Sequence, residues 1–410
     1  MYLPAFHNTG SPPEIPMPPN ILLVVTTQWR AQACGYSGDP NARTPCLDAL
    51  AATCVNFTQA VTPHPFGPFA RAAMLTGVES PANGIRDYFD PLPPGTRTVA
   101  HEMRERSYDT AFFGKWHLSA RDSRARLTGD AHARQVVPPE FRGGFDFWEG
   151  FESGFLLNDP WLHGTRLPAP ARFEGYQSDV VCDRAAEMLG AWRRRPWFAV
   201  VSLEAPHPPY HAPAAGVRPR DPASIELRGN VPAGAEARAR GDLSGYYAHI
   251  EATDRSIGRL VGLLPGALVI FTSVHGDMHG SHGLFRKGWP HEESVRVPLL
   301  ARIPGAAGRD DRPVSLVELP RMIACMAEGR VPGPSGGPAR LSMPSVVALA
   351  DQCDRTWRGF RSAERKLVVG PDGSPWLYFD LEKDPLETRN LAADPAHASE
   401  AGALAASLSS

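Results

Sequence analysis

The sequence predicts an α/β protein: a mostly parallel central sheet between helices, followed by a small antiparallel C-terminal cap. Three observations carry this reading. Short β-branched apolar runs alternate with segments of helical period, and several of those runs end in polar, histidine-containing loops. A Gly/Pro-rich stretch at 331–338 then separates them from a strand-rich tail. With 410 residues and 42% apolar composition, the chain is long enough to bury a large core.

The elements follow in order. The run 20–27, NILLVVTT, has the pattern of a strand buried on both faces and is entered from a Pro-rich segment, 1–19. Thr44 as N-cap, Pro45 at the first helical position and Asp48 in the first turn predict a short helix, after which Val55, Asn56 and Phe57 return to extended structure. A helix from Arg71 to Leu75 ends near Gly77, and an amphipathic one from Thr98 to Arg106 feeds the strand 110–113 and the loop Gly114-Lys-Trp-His-Leu118. The Arg-rich stretch 119–141 has no periodicity and reads as a surface excursion. Helical spacing returns over 178–193, a strand follows at 197–203, and a long helix spans 245–264. The strand 267–273 opens onto Val274-His-Gly-Asp-Met-His-Gly-Ser-His-Gly283. One more helix, 316–327, precedes the linker; strands near 366–369 and 376–380 and a C-terminal helix make the cap. The expected units are therefore 1–19, 20–335 and 336–410.

Composition removes several classes of function. A net charge of −2, from 42 basic and 44 acidic residues, provides no general field for nucleic acid or an anionic membrane. No run approaches the length of a membrane span, and residues 1–20 lack the charged and apolar regions of a secretory signal. Six cysteines without a CxxC pair fit buried thiols in a reducing compartment, so the expected location is the cytoplasm. Ligands of α/β sheets bind along the carboxyl edge of the strands, which makes the His-containing loops the expected site.

Seven segments resemble the type I sulfatases of the alkaline phosphatase superfamily. They are Pro19-Asn-Ile-Leu-Leu-Val-Val-Thr-Thr-Gln-Trp-Arg30, Thr44-Pro-Cys-Leu-Asp-Ala-Leu-Ala51, Arg71-Ala-Ala-Met-Leu-Thr-Gly77, Gly114-Lys-Trp-His-Leu118, Pro206-His-Pro-Pro-Tyr210, the block 273–297, and Tyr378-Phe-Asp-Leu-Glu-Lys-Asp-Pro-Leu-Glu-Thr-Arg-Asn-Leu391. Together they span nearly the whole chain, so the resemblance implies the sulfatase fold. It does not by itself carry the chemistry.

In that family a Cys or Ser four residues before the motif arginine becomes the formylglycine nucleophile. Here that place holds Gly67, or Phe66 if one residue is inserted, and neither side chain supplies an oxygen nucleophile. Thr62 and His64 lie upstream as weak substitutes. The resemblance also implies Ca²⁺ or Mg²⁺ held by acidic pairs after two strands, but those pairs read Thr27-Gln28 and Val274-His275. Hard cations need anionic oxygens, so no metal is expected at the remnant positions Gln28 and His275. His275, Asp277, His279 and His282 have a spacing that leaves a relocated transition-metal site open.

Five residues of the family's pocket remain: Arg71, Lys115, His117, His207 and Lys287. Their resemblance implies a basic pocket for a sulfate, phosphate or carboxylate ester, with three fixed cations and two imidazoles. The reading is a non-sulfatase homologue that binds a small anionic ligand. Two alternatives are a repurposed metal-independent enzyme using His117 or His207 for acid–base work, and an ester hydrolase with an atypical nucleophile and metal.

Overall fold

The computed structural model describes residues 18–194 and 196–408, so the Pro-rich segment lies almost wholly outside the described residues. Ten strands form one sheet: β1 (Ile21–Thr26), β2 (Val55–Val61), β3 (Asp109–Lys115), β4 (Phe147–Phe151), β5 (Trp161–Gly164), β6 (Ala171–Arg172), β7 (Trp197–Ser202), β8 (Leu268–Ser273), β9 (Leu299–Ala301) and β10 (Gly308–Ser315). Their spatial order is β10-β2-β9-β8-β1-β7-β3-β4-β5-β6. The central run from β8 to β4 is parallel throughout. Antiparallel pairing enters through β9 on one side and β5 and β6 on the other.

The alternation of β1 explains the layers. Ile21, Leu23 and Val25 enter one core with the helices Gly67–Thr76, Val99–Glu105 and Leu319–Ala327. Leu22 and Val24 enter a second core with the helices Pro45–Ala51, Gln177–Ala191 and Glu236–Leu263. A strand apolar on both faces needs a helical layer on each. The cap is a four-stranded antiparallel sheet, β11 (Ala339–Met343), β12 (Trp357–Arg361), β13 (Arg365–Val369) and β14 (Pro375–Asp380). Leu341, Trp357 and Phe379 on one face continue the first core, while Leu367 and Tyr378 on the other pack with Ala401 of the helix Ala398–Ser407.

Some boundaries differ from the expectation. The helix placed at 71–75 begins at Gly67, because Pro68 in its first turn has a preset φ and needs no donor there. The long helix begins at Glu236, nine residues early, through a polar stretch whose exposed face hid the period. The excursion 119–141 contains a short helix, Asp130–Ala133. Strands β4, β5, β6, β9, β10, β11 and β12 were too short or carried too little alternation to be found. Thr44 does sit at the N-cap, but its hydroxyl accepts from the Gly35 amide and donates to Asp48. No helix among the described residues is long and apolar enough to cross a membrane.

Candidate active site

Strands β8, β1, β7 and β3 are neighbours and parallel, so their carboxyl ends lie side by side. Thr26 is level with Ser273, and Ser202 with both Val25 and Gly114. The residues at and just beyond these ends are therefore delivered to one place: His275, then Thr27 and Gln28, then Glu204 and His207, then Lys115 and His117. Gly114 makes the close packing possible, since at φ +92° a Cβ would lie 2.1 Å from the Ser202 carbonyl oxygen. The first turn of Gly67–Thr76 closes the floor. A cavity of about 700 Å³ results, lined by Thr27, Gly67, Lys115, His117, His207, His275 and Lys287 among others.

The sequence-derived residues converge, but their charge is not free. Lys115 Nζ lies 2.6 Å from Glu204 Oε1, with both side chains almost fully buried. Burial brings the Lys115 ammonium down to about 8 against the opposing field of Glu204. Lys287 is brought to about 7, first by burial and then by Lys115, with Asp277 opposing. Its ammonium donates to Gln28 Oε1 and meets His207 Nε2 at 3.0 Å. Of the three fixed cations expected from the sequence, Lys115 is thus paired with a carboxylate, Glu204, inside the pocket.

Arg71 is placed differently from the other four. Its guanidinium donates to Thr27 Oγ1 at 2.8 Å, to Ser202 Oγ at 2.6 Å and to the Lys115 carbonyl at 3.2 Å, beneath the strand ends. It is not among the cavity-lining residues. His207 Nδ1 donates to the Pro208 carbonyl at 2.7 Å, which leaves the Nε2 lone pair facing Lys287. Burial holds both His117 and His207 well below the ordinary imidazole range, so both are neutral at pH 7.

A family model described as Sulfatase matches residues 19–328, about three-quarters of the chain. This chain belongs to the sulfatase family. The ulvan-active sulfatase of Formosa agariphila is 32% identical over 413 residues, covering 93% of this chain and 78% of that protein. The arylsulfatase of Clostridium perfringens is 25% identical, with 92% and 90% covered. A protein solved in complex with its substrate D-glucosamine-2-N,6-O-disulfate superimposes with a TM-score of 0.78 at 20% identity, over 96% of this chain and 97% of that one.

Against the sulfatase frame, Gly67 opens the helix at the cavity floor. A Cβ built there would lie 2.9 Å from His117 Nδ1, so the imidazole already fills the space a side chain at 67 would enter. Neither upstream substitute reaches the cavity. Thr62 Oγ1 donates to the His64 carbonyl, and both His64 ring nitrogens are engaged, by the Ser80 amide and at Ser342.

The donor set does not fit the Ca²⁺ or Mg²⁺ of sulfatases. Thr27 Oγ1 accepts from Arg71 and donates to the Leu203 carbonyl, so it keeps only one lone pair of a neutral hydroxyl where an anionic oxygen is needed. Val274 is buried in apolar core. Gln28 Oε1 holds the Lys287 ammonium, leaving only His275 Nε2 buried and without a partner. One imidazole nitrogen is no site for a hard cation. The four-residue cluster left open at 275–282 does not form either: Asp277 is occupied by Tyr210, Gln28 and the His279 amide. His282 instead approaches Glu293 and Glu387. There Lys366 already pairs with Glu387 and lies 3.1 Å from Glu292.

Sequence reasoning missed three residues of this sulfatase-family site. Glu204 lies two residues beyond β7, a position that polar strand ends could have flagged. Phe155 carries no local signal, yet its ring stacks on His207 at 4.4 Å and lies 4.6 Å from Lys115 Nζ. Tyr88, which contacts His117 at 3.5 Å, comes from a loop with no periodic pattern.

Proposed function

We propose that this sulfatase-family protein holds a small oxyanion in a metal-free basic pocket and does not cleave sulfate esters by formylglycine chemistry. The observation carrying this reading is that a glycine stands where the attacking side chain belongs, with His117 Nδ1 only 2.9 Å from where its Cβ would be. The ligand class is a sulfate, phosphate or carboxylate ester, in keeping with the disulfated sugar bound by a protein of the same fold. The test is aryl sulfate hydrolysis with added Ca²⁺ or Mg²⁺ and with EDTA. Release no faster than buffer is expected; sustained, metal-dependent turnover contradicts the reading. Six unpaired cysteines suit a reducing compartment, and we propose the cytoplasm. We also propose that the folding units divide near residue 335.

Oxyanion affinity should fall with pH. Lys287 titrates at about 7, pushed down by burial, Lys115 and Arg286 and supported by Asp277 and Glu204. Its ammonium is present below that value and is lost above it. Methyl sulfate, whose charge is constant, should therefore bind about tenfold more weakly near pH 8 than near pH 6 if one charge is lost. Calorimetric titration reads this directly, and a flat profile contradicts it.

A second reading is favoured by one observation: His117 Nδ1 is buried without a partner. A neutral imidazole so placed suits a general base in a repurposed enzyme. Under that reading, 4-nitrophenyl phosphate, phosphonate or acetate turns over and His117→Ala abolishes the reaction. Under the first, none turns over.

A further inference from the structure

We propose that the Lys287 ammonium takes the place of a divalent cation in this pocket and anchors the ligand, which is therefore a monoanion, a sulfate monoester or a carboxylate. This rests on the metal-free reading above and specifies its ligand.

An ammonium has three N–H donors. One goes to Gln28 Oε1, and a second to His207 Nε2, 3.0 Å away, whose lone pair is fixed by the Nδ1 contact with Pro208. Gln28 is held in turn: its amide nitrogen donates to Asp277 and lies 3.3 Å from the Tyr210 hydroxyl, so its oxygen must face Lys287. Asp277 is fixed by Tyr210 at 2.7 Å and by the His279 amide at 3.1 Å. The oxygen that a metal would need is thus built around a protein cation. One N–H of that cation remains for a ligand in the cavity that Lys287 lines.

Charge accounting sets the ligand class. Lys115 is matched by Glu204; Arg286, also on the cavity wall, lies 3.6 Å from Asp242 and 3.9 Å from Asp277, and the buried Arg71 guanidinium beneath the floor, which bonds only neutral groups, offsets in number the second of those carboxylates. Lys287 makes no ion pair among the described residues; both its partners are neutral. A monoanion balances it, whereas a phosphate monoester dianion would leave a negative charge buried without a partner. A dication beside the ammonium would be repelled and would find Gln28 Oε1 taken.

The test has two arms. In EDTA near pH 6, methyl sulfate titrated into the full chain should bind, and Lys287→Met should weaken it about tenfold or more, as removal of a charge-assisted donor does. Unchanged affinity overturns the proposal. In the second arm, Ca²⁺ binding is compared between Thr27→Asp/Val274→Asp and the same variant carrying Lys287→Met. The variant without the ammonium should bind Ca²⁺ about tenfold more tightly or better. Equal affinity, including absence of binding in both, overturns the replacement. Should the carboxylate buried by Val274→Asp prevent folding, Thr27→Asp with and without Lys287→Met makes the same comparison. Sulfatase turnover by the natural chain would sink the functional reading while leaving this calcium comparison to stand or fall separately.

Discussion

Replacing Glu204 with glutamine is expected to destabilise the protein by about 3–5 kcal/mol, the range for removing one partner of a buried ion pair. The pair is 2.6 Å long and both side chains are almost wholly out of water. The variant amide is isosteric but uncharged, so the Lys115 ammonium would sit uncompensated near Arg71 and Arg121, which already disfavour it. Lys115 titrates at about 8 even with Glu204 present. In the variant it falls further, and shedding its proton near neutral pH limits the loss. The effect should thus be largest at acid pH, where the ammonium is retained, and smaller near pH 8. Thermal unfolding at two pH values checks this. Adding Lys115→Met should recover most of the loss, because replacing both partners removes the orphaned charge.

Arg71→Ala should cost about 2–5 kcal/mol through lost bonds and the cavity left behind, yet change oxyanion affinity little. The guanidinium ties Thr27 to Ser202 and to the Lys115 carbonyl, bracing the ends of three adjacent strands. Burial lowers it to about 10, so it remains charged at neutral pH. Thr27 and Ser202 keep their other bonds, to the Leu203 and Lys115 carbonyls, so the strand ends stay formed. Arg71→Lys should be nearly as damaging, since an ammonium cannot span three acceptors in a planar fork. Thermal unfolding beside methyl sulfate titration separates the roles: a drop in melting temperature with affinity within about threefold marks a brace. An affinity loss matching that of Lys287→Met would return Arg71 to the ligand.

The parallel core was legible because β1, β7 and β8 are unbroken apolar runs, and their polar ends named the site. Lys115, His117, His207 and Lys287 were found through segments whose order survives intact, and they do line one cavity. What sequence could not provide was pairing. Nothing local says that Glu204 faces Lys115, eighty-nine positions away, or that Gln28 Oε1 meets Lys287 across 259 positions. Those contacts depend on strand order, and they turn an apparently open basic cluster into one neutral pair and one anchoring ammonium. Arg71 shows the converse: its segment is clear, but only the helix phase reveals that it points under the floor.

The most direct measurement is anomalous diffraction at the bromine edge from a crystal of the natural chain soaked in 4-bromophenyl sulfate, a monoanion. The account predicts an intact ester in the cavity, marked by a bromine peak, with its sulfate within hydrogen-bonding reach of Lys287 Nζ and no metal bridging Gln28 and His275. A divalent ion at those two residues, or a cavity without bromine, would contradict it.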